Sequence, residues 1–133
     1  MNDAEIQEKY QQFQTLQQHI EQLTEQIEFL NQQTQEVTAS IEAVQQLGHT
    51  ALQNEFLAPI ASGIFVKGKL KENQSLLVNV GANVAVEKTI PQVVTMLTAQ
   101  KKNIIQKVAE ADNILQQLTA EAMKIYQEVD KVD

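Results

Sequence analysis

Catalytic chemistry finds little to work with in this chain. His19 and His49 are its two histidines, and neither has a Cys, Asp or second His at ligand spacing. Ser40, Ser62 and Ser75 stand outside any nucleophile-elbow sequence. Gly63, Gly68 and Gly81 do not form a phosphate-cradling loop, because no Lys-Ser or Lys-Thr pair follows at the required spacing. Glu25 and Glu28 fall where a solvated helix face accounts for them. With no cysteine, a thiolate metal site and a disulfide framework are both excluded. These residues predict no enzyme, no metal and no cofactor. What residue types and spacing do offer is adhesion. Ile6, Tyr10 and Phe13 lie near one end of the chain, and Met123, Ile125, Tyr126, Val129 and Val132 near the other, with Met1 beside them. Aromatic and flexible apolar groups of this kind can accept many shapes, as an unfolded polypeptide requires. They also suit the closure of a helix seam, and the pattern alone leaves both readings open.

The elements that position these groups are two heptad repeats. Ile6, Phe13, Ile20, Ile27, Thr34 and Ile41 recur every seven residues, with Lys9, Leu16, Leu23, Leu30, Val37 and Val44 interleaved three later. Val94, Lys101, Val108, Leu115, Ala122 and Val129 repeat the pattern, with Leu97, Ile104, Ala111, Leu118, Ile125 and Val132. A 3.5-residue spacing holds an apolar seam toward a partner helix, so both segments read as coiled-coil strands. The flanking positions of the first strand carry Tyr10, Gln17, Thr24, Asn31 and Thr38 on one side and Gln12, His19, Gln26, Gln33 and Ser40 on the other. Almost none is charged. A strand that sought its partner in solution would need more discrimination than this, whereas a tethered one would not. The two strands are therefore expected to pair antiparallel within the chain. Setting Ile41 opposite Leu97 and Val44 opposite Val94 fixes one register, in which Val37 faces Lys101 and Thr34 faces Ile104. The polar breaks Thr34 and Lys101 are expected to hold that register at some loss of stability.

Between the repeats the apolar period changes to two. Asn2 with Glu5 predicts a cap at the start of the first helix, and Thr89-Ile90-Pro91-Gln92 a cap for the second. Gly48 ends the first apolar pattern. Strands are expected at 56–60, 64–71, 75–81 and 84–89, separated by the turn-like Ala61-Ser62-Gly63, Glu72-Asn73-Gln74-Ser75 and Gly81-Ala82-Asn83. Gly68 reads as a packing or bulge position within its strand. Pro59 cannot donate to a ladder, so its strand is expected to lie at an edge or pair briefly. The segmentation is thus 1–54 for an N-terminal coiled-coil helix, 55–90 for two β-hairpins and 91–133 for a C-terminal coiled-coil helix. Four short strands with apolar residues on both faces are a poor free-standing unit. Phe56, Leu57, Ile60, Ile64, Phe65, Val66, Leu76, Val78, Val80, Val84 and Val86 are accordingly expected to mediate assembly, the alternative being that the helices fold back over the sheet at Gly48.

A net charge of −7 disfavours a nucleic-acid backbone or an anionic membrane as partner. No segment has the length of an apolar membrane span, and the N-terminal residues lack the pattern of a signal peptide. A soluble intracellular protein is expected.

Glu55-Phe56-Leu57-Ala58-Pro59-Ile60-Ala61-Ser62-Gly63-Ile64-Phe65-Val66-Lys67-Gly68 and Val78-Asn79-Val80-Gly81-Ala82-Asn83-Val84-Ala85-Val86-Glu87-Lys88 resemble the two hairpins of the prefoldin alpha-subunit family. The resemblance covers nearly the whole chain in order. Asn83 departs from it, where relatives more often have Gly, as does Ala58-Pro59-Ile60-Ala61, where Val often precedes the Pro and Gly follows the aliphatic residue. The resemblance implies an α+β fold: a long antiparallel coiled-coil hairpin whose two central β-hairpins join an oligomeric β-barrel body. It also implies a cytoplasmic, ATP-independent chaperone of two alpha and four beta subunits, with no cofactor. Such a complex holds non-native clients at its coiled-coil tips and passes them to a group II chaperonin. The tip residues named above become the expected client contacts. The alternative from the residues alone is a coiled-coil scaffold that spaces folded partners.

Overall fold

The structure, a computed structural model, describes residues 2–130, so Met1 and Val132 lie outside it. Six elements follow in order: α1 (Asp3–Gly48), β1 (Glu55–Ala61), β2 (Ile64–Lys69), β3 (Ser75–Asn79), β4 (Ala85–Thr89) and α2 (Ile90–Asp130). Both helices begin at the expected caps. The Glu5 N–H donates to Asn2 Oδ1 at 2.8 Å, and Asp3 and Glu5 place negative charge at the positive end of the helix dipole. At α2 the Gln92 N–H donates to Thr89 Oγ1 at 3.3 Å while the Thr89 N–H donates to Gln92 Oε1 at 3.0 Å. Two otherwise orphaned donors are satisfied reciprocally, with Pro91 in the first turn.

The chain divides into two compact units. One comprises residues 1–35 and 102–133. Here α1 and α2 run antiparallel, with Phe13 against Tyr126 (ring centroids 6.2 Å apart) and Lys9 Nζ 2.9 Å from Glu128 Oε2. Both pairs lie within one residue of the expected register. Burial follows the heptads: Ile6, Phe13, Leu16, Ile20, Leu23 and Ile27 are half-buried, and Leu30 is buried. Across the seam Ile104, Val108, Leu115, Leu118, Ile125 and Val129 are half-buried, and the small Ala111 and Ala122 are buried. A two-helix layer has no third surface to enclose larger seam residues, so most keep an edge in water.

The other unit comprises residues 36–101. Within this unit Val37, Ile41 and Val44 are half-buried, as are Val94, Leu97 and Lys101, and Gly48 sits against Ile90, as the expected register requires. Val93, one residue before a seam position, is only 5% exposed, so at this end α2 buries a face wider than the seam. β1 pairs with β2 and β3 with β4, each antiparallel, as two separate two-stranded sheets. The first hairpin is tied back to the end of α1. The Gln53 N–H donates to the Leu70 carbonyl at 2.7 Å, the Leu70 N–H to the Asn54 carbonyl at 2.9 Å, and Asn73 Nδ2 to the Thr50 carbonyl at 2.8 Å. This explains why β2 stops at Lys69 and not at Lys71: Leu70 bonds to the linker ahead of β1. β3 and β4 also stop short of the expected limits, at Asn79 and Ala85, because Val80 to Val84 form the turn.

The ladder irregularity falls between Pro59 and Ala61 rather than at Gly68. Pro59 has no N–H to keep the ladder regular. Gly68 serves packing instead. It pairs with Phe56, whose ring covers it so closely that a β-carbon there would lie 2.6 Å from Phe56 Cζ. In the second turn Gly81, Ala82 and Asn83 all have positive φ (115°, 50° and 61°), and the Val84 N–H donates to the Gly81 carbonyl at 2.9 Å. Asn83 thus adopts the left-handed conformation that few residue types other than Gly tolerate.

Candidate functional site

Two surfaces hold apolar side chains that one chain leaves uncovered. The first is the pair of hairpins. Register places Phe56, Ala58, Val66 and Gly68 on one face of β1–β2, and Leu57, Pro59, Phe65 and Lys67 on the other. Phe56, Leu57, Ile60, Ile64, Phe65 and Val66 are all exposed, so both faces are apolar and wet. In β3–β4, Leu76 and Val78 are half-buried while Val80, Val84 and Val86 are exposed. Leu77, on the opposite face with Ser75, Asn79 and Glu87, is 77% exposed. The alternation read in the sequence selected the even-numbered set and missed it. A lone leucine among polar residues gives no period to find. That face is otherwise polar, with Ser75 Oγ donating to Glu87 Oε1 at 2.7 Å.

The second surface lies in the helix pair, near the chain ends. Phe13, Ile125 and Val129 form the apolar part of a cleft of about 270 Å³, which Lys9, Tyr10, Tyr126 and Asp130 complete. Tyr10 and Tyr126 are 56% and 61% exposed. A wider cleft follows, sharing Phe13 and Tyr126 and adding Ile20, Ala122, Met123, Gln17, Glu21 and Thr119. Ile6 is half-buried in the seam and lines neither cleft. The structure therefore brings Tyr10, Phe13, Met123, Ile125, Tyr126 and Val129 together, whereas Val132 lies outside the described residues.

Lys9 occupies a seam position for which the heptad pattern offered no reason. Its partner Glu128 supplies one. The hydrogen bond and charge of Lys9 hold the Glu128 carboxyl below its usual value, with a smaller contribution from Lys124. The aliphatic stem of Lys9 can then fill the seam while its head is neutralised outside.

Among the described residues no group of three His, Cys, Asp or Glu could hold a metal ion, and no helix is long and apolar enough to cross a membrane. His19 and His49 are exposed. The arrangement can bind apolar groups.

Comparison with known proteins follows the same lines. The Prefoldin subunit family model matches residues 16–133. Prefoldin subunit alpha of Thermofilum pendens is 26% identical over 115 residues, 86% of this chain and 89% of that protein. The corresponding subunit of Archaeoglobus fulgidus is 25% identical over 128 residues, 96% and 93% of the two chains. A chain of the filamentous PFD from Methanocaldococcus jannaschii, solved by cryo-electron microscopy, shares the fold with a TM-score of 0.58. It is 20% identical, and the match spans 96% of this chain and 99% of that one.

Proposed function

The chain belongs to the prefoldin subunit family, whose members are chaperones, and we propose from this that it captures non-native polypeptides without ATP at the clefts beside Tyr10 and Tyr126. Those clefts carry the reading: they are apolar, open, and built from side chains that adapt. The exposed hairpins supply the other requirement. Prefoldin subunits assemble into oligomers, and in this proposal the hairpins seat two copies of this chain with four beta subunits in a shared β-barrel body. Edges and apolar faces left open in the single chain are then covered by neighbours. The client is handed to a group II chaperonin, and no catalytic step is involved. The complex acts in the cytoplasm. Several weak contacts on one flexible client give a retention that no single cleft provides.

The test is the native mass of the tagged chain purified from its own cells, with its co-purifying subunits identified. Two copies with four of a second coiled-coil subunit are expected, and the complex should suppress aggregation of a chemically denatured reporter enzyme without nucleotide. A homodimer, or a complex with a single folded partner and no such suppression, would instead make the chain a scaffold.

A further inference from the structure

The two apolar clefts lie on one side of the helix seam. Tyr10, Gln17, Thr119 and Tyr126, which line them, all flank the seam on that side. The other side borders a different cleft, where Gln12, His19 and Glu121 stand in the equivalent flanking positions. Leu16 and Ile125 line that cleft too, so the two sides differ in their flanking residues: tyrosines on one, Gln12 and His19 on the other. Each apolar cleft also has a carboxylate in its lining, Asp130 in the first and Glu21 in the second. The ammonium of Lys9 is the cationic group of that lining, and Glu128 neutralises it at 2.9 Å. Charge over the molecule has the same bias. Twelve of the seventeen carboxylates but only five of the ten lysines fall in residues 1–35 and 102–133, which therefore carry the whole formal charge of −7.

We infer that the clefts select basic-apolar segments of non-native chains, in which Leu, Phe or similar residues are interspersed with Lys or Arg. The proposal rests on the holdase reading and names its substrate class. Apolar side chains lie on Phe13, Ile20, Ile125 and Val129. Lys or Arg stems cover the same floor while their heads reach Asp130 and Glu21. The faces of Tyr10 and Tyr126 add attraction for a guanidinium. The field of the unit raises the encounter rate with cationic segments and repels acidic ones.

The test uses the assembled complex and three fluorescent peptides of equal length and apolar content, their polar positions filled by Arg, Ser or Glu. Anisotropy titrations at low ionic strength should rank them Arg, Ser, Glu, with roughly three- to tenfold between the first two and a gap that closes as salt is added. Glu21→Gln with Asp130→Asn should bring the Arg peptide close to the Ser peptide and leave the Ser peptide unchanged. Tyr126→Ser with Met123→Ser should weaken all three, whereas His19→Ser with Gln26→Ser should weaken none. These four substitutions fall at exposed positions, and circular dichroism checks that each variant is folded. Equal affinity for the Arg and Glu peptides, or a preference that survives the carboxylate substitutions, overturns the inference while leaving the holdase reading intact. Failure of all three peptides to bind removes both.

Discussion

At the scale of single residues the second unit contains a contrast between two small side chains. Gly68 has an ordinary backbone but no room for a β-carbon, because the Phe56 ring occupies the space. Ala82 is exposed but has a φ of 50°, which a β-carbon disfavours. Gly68→Ala should therefore lower stability by about 1–3 kcal/mol, as overpacking does, and Ala82→Gly should raise it by about 1 kcal/mol. Urea titration of each variant against the parent measures both; a neutral Gly68→Ala would mean that the Phe56 ring swings away at little cost. Gly68 could be recognised in the sequence only as a strand glycine with a reason, since the reason is its cross-strand partner. Lys9 was similar: its place in the seam was visible, but the partner that makes it tolerable was not. That ion pair gives a pH dependence of known sign. The folded-state pKa of Glu128 is depressed, so the pair contributes stability above the unfolded value near 4.5 and loses it as pH falls through the folded value. Thermal melts from pH 7 to pH 3 should show a steeper acid loss for the parent than for Glu128→Gln. Parallel curves would mean that the pair contributes nothing to folding.

At the scale of elements, the helices and the seam were legible because a seven-residue period survives single exceptions. Each expected seam position among the described residues is half-buried or buried. The strands were legible as a region, but their ends were not. Whether Leu70 continues β2 depends on Gln53 and Asn54, whose bonds to it no local pattern encodes. The second capping box and the turn at Asn83 were readable because their chemistry is local. Thr34 and Lys101 test the limits of the seam reading. Both are half-buried, and Thr34 Oγ1 donates to the Leu30 carbonyl at 3.0 Å within its own helix. Replacing both with Ile adds apolar burial on the order of 1 kcal/mol per site and should raise the melting temperature by several degrees. The same change should loosen the register. Because the chain has no cysteine, introduced pairs report on this cleanly. Ile41→Cys with Leu97→Cys should crosslink in either background. Ile41→Cys with Ile104→Cys, one heptad out of register, should crosslink only in the background carrying Thr34→Ile and Lys101→Ile. In-register crosslinks alone in that background would show that the turns, not the polar residues, set the alignment.

At the scale of the whole molecule, only four apolar residues are buried among those described, which leaves the hairpins little core of their own. Leu30, Val93, Ala111 and Ala122 are the buried core of the described residues, while Phe56, Leu57, Ile60, Phe65 and Leu77 stay in water. An apolar surface of this kind on both faces of a two-stranded sheet is a liability unless a neighbour covers it. In the function proposed above, assembly and client capture draw on different residues, so they should be separable. Removing residues 1–10 and 124–133 takes away Tyr10, Ile125, Tyr126 and Val129 and leaves every hairpin residue in place. The native mass should then correspond to an unchanged subunit count, while suppression of reporter aggregation falls to the level of buffer. Because retention multiplies over several weak contacts, trimming one kind of subunit should already cost far more than its share of the sites. Full suppression by the trimmed complex would place capture away from the terminal clefts, and loss of assembly would mean that the ends of the helix pair also hold the oligomer together.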